Sequence, residues 1–416
     1  MKVRACALLL GFHLAVGLVV ASFAPAVAAA EKKDQQKVSE KVGKPLAAAL
    51  EAAKSKQFDV AMSKIKDAEA VEKKTPFEQF KINEILAFIY ANQKKYLDLA
   101  AIYEKNLDTP QFLPPEQADT LPKTIAQIYY QAQQYPKSIE YNKRWLKSHP
   151  NDTEMLGLLG QTYYLVKDMK QCKDAMGSAV STAEKAGEEP KEVWLQVAQA
   201  CAVGLGDEDA ITSAYEKLIR YHPKADYWDR YLKRVSRNER SDAVMFQWFR
   251  LMNDVGVLKE APEYVEYAQL ALVTFAMPGE AARVVEKGFS TGTLGSIEKD
   301  KARQQNLLEK AEAAAKKDKA TIPQLIPEAE KATNGGADVG LGLAYFSFEQ
   351  YDQAIQSLER GLKKGGVKDE ATARLTLGIA QFKKGQRDQA RASFHAIPKN
   401  SPLAPVVAAW ILRSYN

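Results

Sequence analysis

The sequence predicts an all-α protein, a right-handed superhelical solenoid of antiparallel helix pairs. The first observation is a repeat, since residues 160–164 (GQTYY) reproduce the pattern of residues 126–130 (AQIYY) after 34 positions. The second is the placing of Pro150 and Pro223, which follow paired helical segments where such pairs would end. A helix pair of this size cannot bury its apolar side alone and must stack on a neighbour, which predicts a solenoid.

The N-terminal residues resemble a bacterial secretory signal peptide. Two basic residues precede an apolar run that ends near Ala24, and small residues suited to cleavage follow it. We predict a signal peptide at 1–28 and a charged linker at 29–45, with the mature protein in the periplasm and no transmembrane segment after cleavage. A retained membrane anchor is the alternative, because the apolar run approaches the length that spans a bilayer.

Residues 46–289 are predicted to form an N-terminal array of helix pairs. Three of these pairs carry small and aromatic residues at corresponding places, namely Ala126, Tyr129 and Ser138, then Gly160, Tyr163 and Cys172, then Trp194, Ala198 and Ala210. The pattern resembles the tetratricopeptide repeat (TPR) family. The resemblance implies a concave groove lined by the first helix of each pair, and a protein that binds other proteins.

The C-terminal part is predicted to form a second lobe. Residues 290–334 are predicted as a loop and a Lys/Ala-rich helical linker, and residues 335–416 as C-terminal TPR repeats with a capping helix. The support is a second repeat, because Leu341-Gly342 recurs as Leu377-Gly378 after 36 positions. Trp410 on the last helix either closes the solenoid or docks a partner, and we expect closure.

Charge and cysteine content narrow the class of protein. The chain carries 58 Lys and Arg against 52 Asp and Glu, an excess too small to indicate nucleic-acid binding. Two cysteines remain after the predicted signal peptide, Cys172 and Cys201. We expect two buried thiols, because the repeat places small buried side chains at these positions. A disulfide is the alternative, which an oxidising compartment permits.

No motif indicates catalysis. The sequence contains no nucleophile elbow, no metalloprotease helix motif and no phosphate-binding loop. His149 and His222 each precede a proline at the end of a repeat, and His395 has no Glu or Cys at ligand spacing. We therefore expect a protein that is not an enzyme, with no catalytic residues, no metal and no cofactor.

The predicted binding face lies on the first helices. In TPR proteins the residue after the small packing residue points into the groove, and here that residue is Gln127, Gln161 and Gln199 in consecutive repeats. Tyr130 and Tyr164 lie one turn further along the same face. Amides both donate and accept hydrogen bonds, and tyrosines add apolar area, so the face suits a peptide. Ordinary solvent-exposed glutamines are the alternative.

The C-terminal repeats differ at the corresponding positions, which hold Leu343, Phe346, Ile379 and Phe382. If these side chains are exposed, they would form a second, apolar groove suited to an amphipathic helix. If they are buried, they belong to the core, which is the commoner role of an apolar stripe at helical spacing.

These observations predict a periplasmic scaffold that holds a peptide segment or a partner protein of the cell envelope. Its general architecture is similar to the TPR proteins that accompany the Ton energy-transduction system. The alternatives are an assembly factor for secretion, pili or exopolysaccharide export, and a protein that binds cell-wall glycan or regulates an enzyme. The oligomeric state stays open.

Overall fold

The structure is a computed structural model that describes residues 36–416, so the predicted signal peptide lies outside the described residues. Within that range the chain forms 20 α-helices and no β-strand, which confirms the all-α class. No helix in this range is both long enough and apolar enough to cross a membrane. The chain divides into two compact units between Leu121 and Pro122.

The first unit contains two helix pairs and a short 3-10 turn at Pro110–Phe112. The helices are α1 (Glu40–Lys54), α2 (Phe58–Glu69), α3 (Pro76–Asn92) and α4 (Tyr96–Leu107). Helix α1 packs against α2, α2 against α3, and α3 against α4.

The predicted charged linker at 29–45 is wrong in its last part, because α1 begins at Glu40. Val42, Leu46 and Ala49 recur at helical spacing and are buried, so this stretch has an apolar side to pack. Glu78 fixes the start of α1, since its carboxylate accepts the Ser39 N–H at 2.8 Å. The hydrogen bonds from Ser39 and Thr75 lower the pKa of Glu78 to about 2.

The second unit contains the remaining helices, and α5 crosses the division. They are α5 (Pro115–Gln131), α6 (Tyr135–Ser148), α7 (Thr153–Leu165), α8 (Met169–Lys185), α9 (Glu192–Leu205), α10 (Glu208–Tyr221), α11 (Ala225–Val235), α12 (Asp242–Asp254), α13 (Ala261–Gln269), α14 (Pro278–Ser290), α15 (Glu298–Lys331), α16 (Gly336–Ser347), α17 (Tyr351–Lys364), α18 (Glu370–Lys383), α19 (Arg387–His395) and α20 (Ala404–Arg413). A π-helical turn at Leu270–Thr274 follows α13.

The same turn joins the two helices of many pairs. A residue with positive φ stands two positions before the second helix, as Lys167 does before α8 and Gly206 before α10. The other cases are Lys56, Lys94, Gln133, Ala276, Glu349 and Gly385. Left-handed backbone costs a non-glycine residue about 1 kcal/mol, so its recurrence shows that the pairing geometry requires it.

A close helix contact also recurs, between a glycine and the side chain 16 positions later. Gly160 on α7 lies against Met176 on α8, Gly342 on α16 against Leu358 on α17, and Gly378 on α18 against Phe394 on α19. A Cβ at any of these glycines would stand within 3 Å of that side chain. The repeat period in the sequence therefore corresponds to the recurrence of this contact between paired helices.

Cys172 and Cys201 form a disulfide that joins α8 to α9, with their Cα atoms 6.1 Å apart. The expectation of two thiols was wrong. Both cysteines are fully buried at the contact between these helices, so the small side chains required by the packing face each other.

Residues 290–334 contain the predicted loop and Lys/Ala-rich helix, but they do not divide the second unit into lobes. Residues 298–331 form the single helix α15, which packs against both α14 and α16 in the second unit. Small and apolar residues such as Ala311, Ile322 and Ala329 give this Lys-rich helix a buried side. Most lysines of α15 are exposed.

The C-terminal helix returns to the middle of the chain, because α20 packs against α10 and α12 as well as α19. Trp410 is 1% exposed, and its ring lies 6.0 Å from that of Phe382 and 6.4 Å from that of Phe394. Asn416 donates its side-chain N–H to the Ile219 carbonyl at 2.9 Å. Trp410 therefore closes the second unit, as expected.

Two glycines on α16 test the close contact. We expect Gly342→Ala to destabilise the protein by about 1–3 kcal/mol, because the new methyl would overlap Leu358 in a filled core. Gly340→Ala is the control, since nothing lies within 4 Å of its Cβ position and alanine favours a helix by up to about 1 kcal/mol. Urea unfolding measures both; equal effects would contradict the packing argument.

Candidate functional site

The predicted binding face lies on three consecutive first helices. Gln127 and Tyr130 are on α5, Gln161 and Tyr164 on α7, and Gln199 on α9. Successive first helices contact closely, because Gly157 on α7 leaves room for the Trp194 indole of α9.

The amides and tyrosines of this face contact one another. The Tyr130 hydroxyl donates to the Gln161 side-chain carbonyl at 3.5 Å, and burial followed by Tyr135 raises the pKa of Tyr130. Gln161 is 8% exposed, whereas Gln127 and Gln199 are half-buried. The outer members of the row are therefore more accessible than Gln161.

Two aliphatic residues on this face were missed in the sequence. Leu165 follows Gln161 by four positions and is 43% exposed, and Val203 follows Gln199 by four positions and is 53% exposed. Residues four apart lie on one side of a helix, so α7 and α9 each present an amide with an exposed aliphatic residue one turn beyond it. The same spacing in both repeats is the sequence pattern that could have identified these two aliphatic residues. We call Gln127, Gln161, Tyr164, Leu165, Gln199 and Val203 the first-helix face.

The second predicted groove has no open apolar floor. Phe346 and Ile379 are 6% and 2% exposed, and Leu343 and Phe382 are half-buried. Phe382 packs against the Trp410 ring and lies under the Arg413 guanidinium. Closure of the second unit by α20 covers what an open solenoid would expose.

Phe346 and Ile379 instead line a cavity of about 390 Å³ within the second unit, which we call the closure cavity. Its walls come from α12, α13, α14, α16, α17, α18 and α20, with Glu349 from the turn before α17. Many wall residues are charged, which the sequence did not reveal because they are spread from residue 250 to residue 383. They are Arg250, Asp254, Glu280, Arg283, Lys287, Glu349 and Lys383.

The inner wall holds a buried ion pair. Arg250 donates from Nε and Nη2 to the two carboxylate oxygens of Glu280, at 2.8 and 2.6 Å, and Tyr267 donates its hydroxyl to the same carboxylate. Burial alone would raise the pKa of the Glu280 carboxyl. The charge and the hydrogen bonds of Arg250 outweigh this effect and hold the pKa below its usual value. Burial, then the Glu280 charge, raises the pKa of Tyr267 well above normal.

The cavity mouth is held by Asp254, whose side chain is 5% exposed. Its two oxygens pair with Lys383 of α18 and with Arg413 of α20, the latter at 2.7 Å. Lys287 beside them donates to the side-chain and backbone oxygens of Asn253, at 2.7 and 3.2 Å. Asp254 therefore joins α12 to α18 and to α20.

Among residues 36–416, no group of three or more His, Cys, Asp or Glu side chains is placed to hold a metal ion. The charged groups of the closure cavity pair with one another, except Lys287, which donates to Asn253.

Comparisons with known proteins support the repeat architecture. Residues 339–405 match the tetratricopeptide repeat family model, so this part of the chain carries TPR repeats. No curated protein sequence matches the chain.

Solved structures similar to the chain include a tetratricopeptide repeat protein from Parabacteroides merdae, with 15% identity, a TM-score of 0.33, and coverage of 66% of this chain and 99% of that one. The TPR2AB domain of yeast Sti1 in complex with pHSP90 has 13% identity, a TM-score of 0.25, and coverage of 72% and 98%. The apo form of RapI has 13% identity, a TM-score of 0.31, and coverage of 67% and 99%.

The ion pair of the cavity wall can be tested by one substitution. We expect Glu280→Gln to destabilise the protein by about 3–5 kcal/mol, because it leaves the fully buried Arg250 without its opposite charge. Glu349→Gln is the control in the same cavity, since Glu349 is half-exposed and its pair with Arg283 contributes at most about 1 kcal/mol. Urea unfolding of both variants gives the comparison; a small loss for Glu280→Gln would contradict this account.

Proposed function

We propose that this protein, whose residues 339–405 carry TPR repeats, is a non-catalytic scaffold that binds a peptide segment of a partner protein on the first-helix face. The observation that carries the proposal is the recurrence on α7 and α9 of an amide and an exposed aliphatic residue. An isolated exposed aliphatic residue is ordinary, whereas here exposed aliphatic residues recur at the same spacing on two first helices that contact each other.

The chemistry of this face suits an extended segment. Gln127 and Gln199 are half-buried amides that can bond to the N–H and C=O groups of a peptide backbone. Leu165 and Val203 offer apolar area to its side chains, and Tyr164 adds a ring with a polar end. Backbone bonding supplies affinity, and the aliphatic contacts select the sequence.

We place this scaffold in the periplasm. The features of residues 1–28 support cleavage and export, and the Cys172–Cys201 disulfide is of a kind that persists in oxidising compartments. As a finer proposal, the partner belongs to the Ton energy-transduction system. Two other results would replace the Ton system as the partner. One is a component of the machinery for secretion, pili or exopolysaccharide export, and the other is cell-wall glycan.

Crosslinking in living cells tests the binding face. A photoreactive residue at position 164 should attach to a specific envelope protein, identified by mass spectrometry. The matched site is position 97 on α4, where the native leucine is 52% exposed, and it should not capture that protein. Capture of glycan alone, or the same products from both sites, would overturn the proposal.

Substitution of the exposed aliphatic residues tests their contribution. We expect the double variant Leu165→Gln and Val203→Gln to lose most partner capture while its melting temperature stays within about 2 °C, because exposed side chains contribute little to stability. Leu97→Gln, an equally exposed site, serves as control and should retain capture. Unchanged capture by the double variant would show that the partner binds elsewhere.

A further inference from the structure

We propose that the closure cavity is a second binding site, for a small organic anion with one carboxylate on an apolar body. The cavity is built from residues 250–410 and shares no residue with the first-helix face, so this inference does not depend on the proposed function. It rests on the charges of the cavity, the partners of each charged group, and the character of the walls.

The charges of the cavity leave an excess of cations. Four cationic side chains line it, Arg250, Arg283, Lys287 and Lys383, and Arg413 makes a fifth at its mouth. Three carboxylates oppose them, and each of these already has a cationic partner. The pairs are Glu280 with Arg250, Glu349 with Arg283 at 3.4 Å, and Asp254 with both Lys383 and Arg413.

Lys287 is the cation left over. Within the described chain its ammonium group forms no ion pair with a carboxylate and donates only to the neutral oxygens of Asn253. Burial, then the neighbouring Lys383 ammonium, lowers the pKa of Lys287, while the nearby Asp254 carboxylate opposes this shift. Two ammonium groups close enough to repel each other favour an anion between or beside them.

The inner walls indicate what the rest of the ligand is like. Phe346, Ile379 and Val284 give the cavity an apolar wall, and the Trp410 indole adjoins it. The Trp410 N–H is buried and has no hydrogen-bond partner among the residues that the structure describes. A ligand with an apolar body would cover the wall formed by Phe346, Ile379 and Val284 while its carboxylate reached Lys287 and Lys383. An acceptor atom of the ligand would be needed to satisfy the Trp410 N–H.

The size of the cavity agrees with a small molecule. Binding pockets for small ligands have volumes of about 300–1,000 Å³, and this cavity has about 390 Å³. A free inorganic anion would leave most of that space unfilled. A folded protein segment would not fit within it.

Isothermal titration calorimetry on the purified protein tests the site. The probes are 3-phenylpropanoate and octanoate, with 3-phenylpropan-1-ol as the neutral counterpart and inorganic phosphate as the bare anion. We expect saturable binding of at least one carboxylate, at least about tenfold tighter than the alcohol or phosphate, because the alcohol lacks the charge that pairs with an ammonium group and phosphate lacks the apolar body that covers the wall. Absence of carboxylate binding, or equal binding of the alcohol or phosphate, would overturn the proposal.

A matched pair of lysine variants locates the binding. Lys287→Met keeps the length of the side chain without its charge, and should weaken carboxylate binding by about tenfold or more. Lys384→Met is the control, because Lys384 pairs with Asp352 and does not line the cavity. Circular dichroism checks that both variants are folded. Equal affinity in the two variants would show that the carboxylate binds at another place.

Discussion

The close contact between the two helices of each pair is the constraint on which the structure depends. In three pairs a glycine on the first helix meets a side chain 16 positions later, and in most pairs a left-handed residue lies in the turn before the second helix. The glycine tolerates little variation, since a larger residue would overlap Leu358 or Phe394, whereas the turn position holds Lys, Gln, Ala, Glu or Gly. Side chains away from this contact are free to differ, so binding residues can change while the fold persists.

Closure makes the second unit more than a row of repeats. Asp254 accepts from residues of α18 and α20, and Trp410 fills the space between these helices and the middle of the chain. A buried carboxylate is costly unless it is paired, so Lys383 and Arg413 are held in place by the same group that they neutralise. The closure cavity lies where α12, α18 and α20 meet around charged side chains, which do not pack as closely as an apolar core does.

The sequence predicted the features that repeat and missed those that do not. The 34- and 36-residue periods identified the helix pairs, because residues such as Gly160 and Gly342 make the same local contact each time. The Glu280–Arg250 pair and the Asp254 cluster join residues 30 to 159 positions apart and have no period, so no sequence pattern marks them. The α15 helix was taken for a linker because its lysines outnumber the few small residues, such as Ala311, that it buries.

The return of α20 to α10 and α12 bears on how the protein unfolds. In an open repeat array the terminal repeat has one neighbour and frays first, so unfolding proceeds inward from the ends. Here the last helix has neighbours in the middle of the chain, and releasing it exposes Trp410 and breaks the pair between Asp254 and Arg413. Residues 208–413 should accordingly exchange their amide hydrogens as a single cooperative block, with the C-terminal repeat as well protected as those before it.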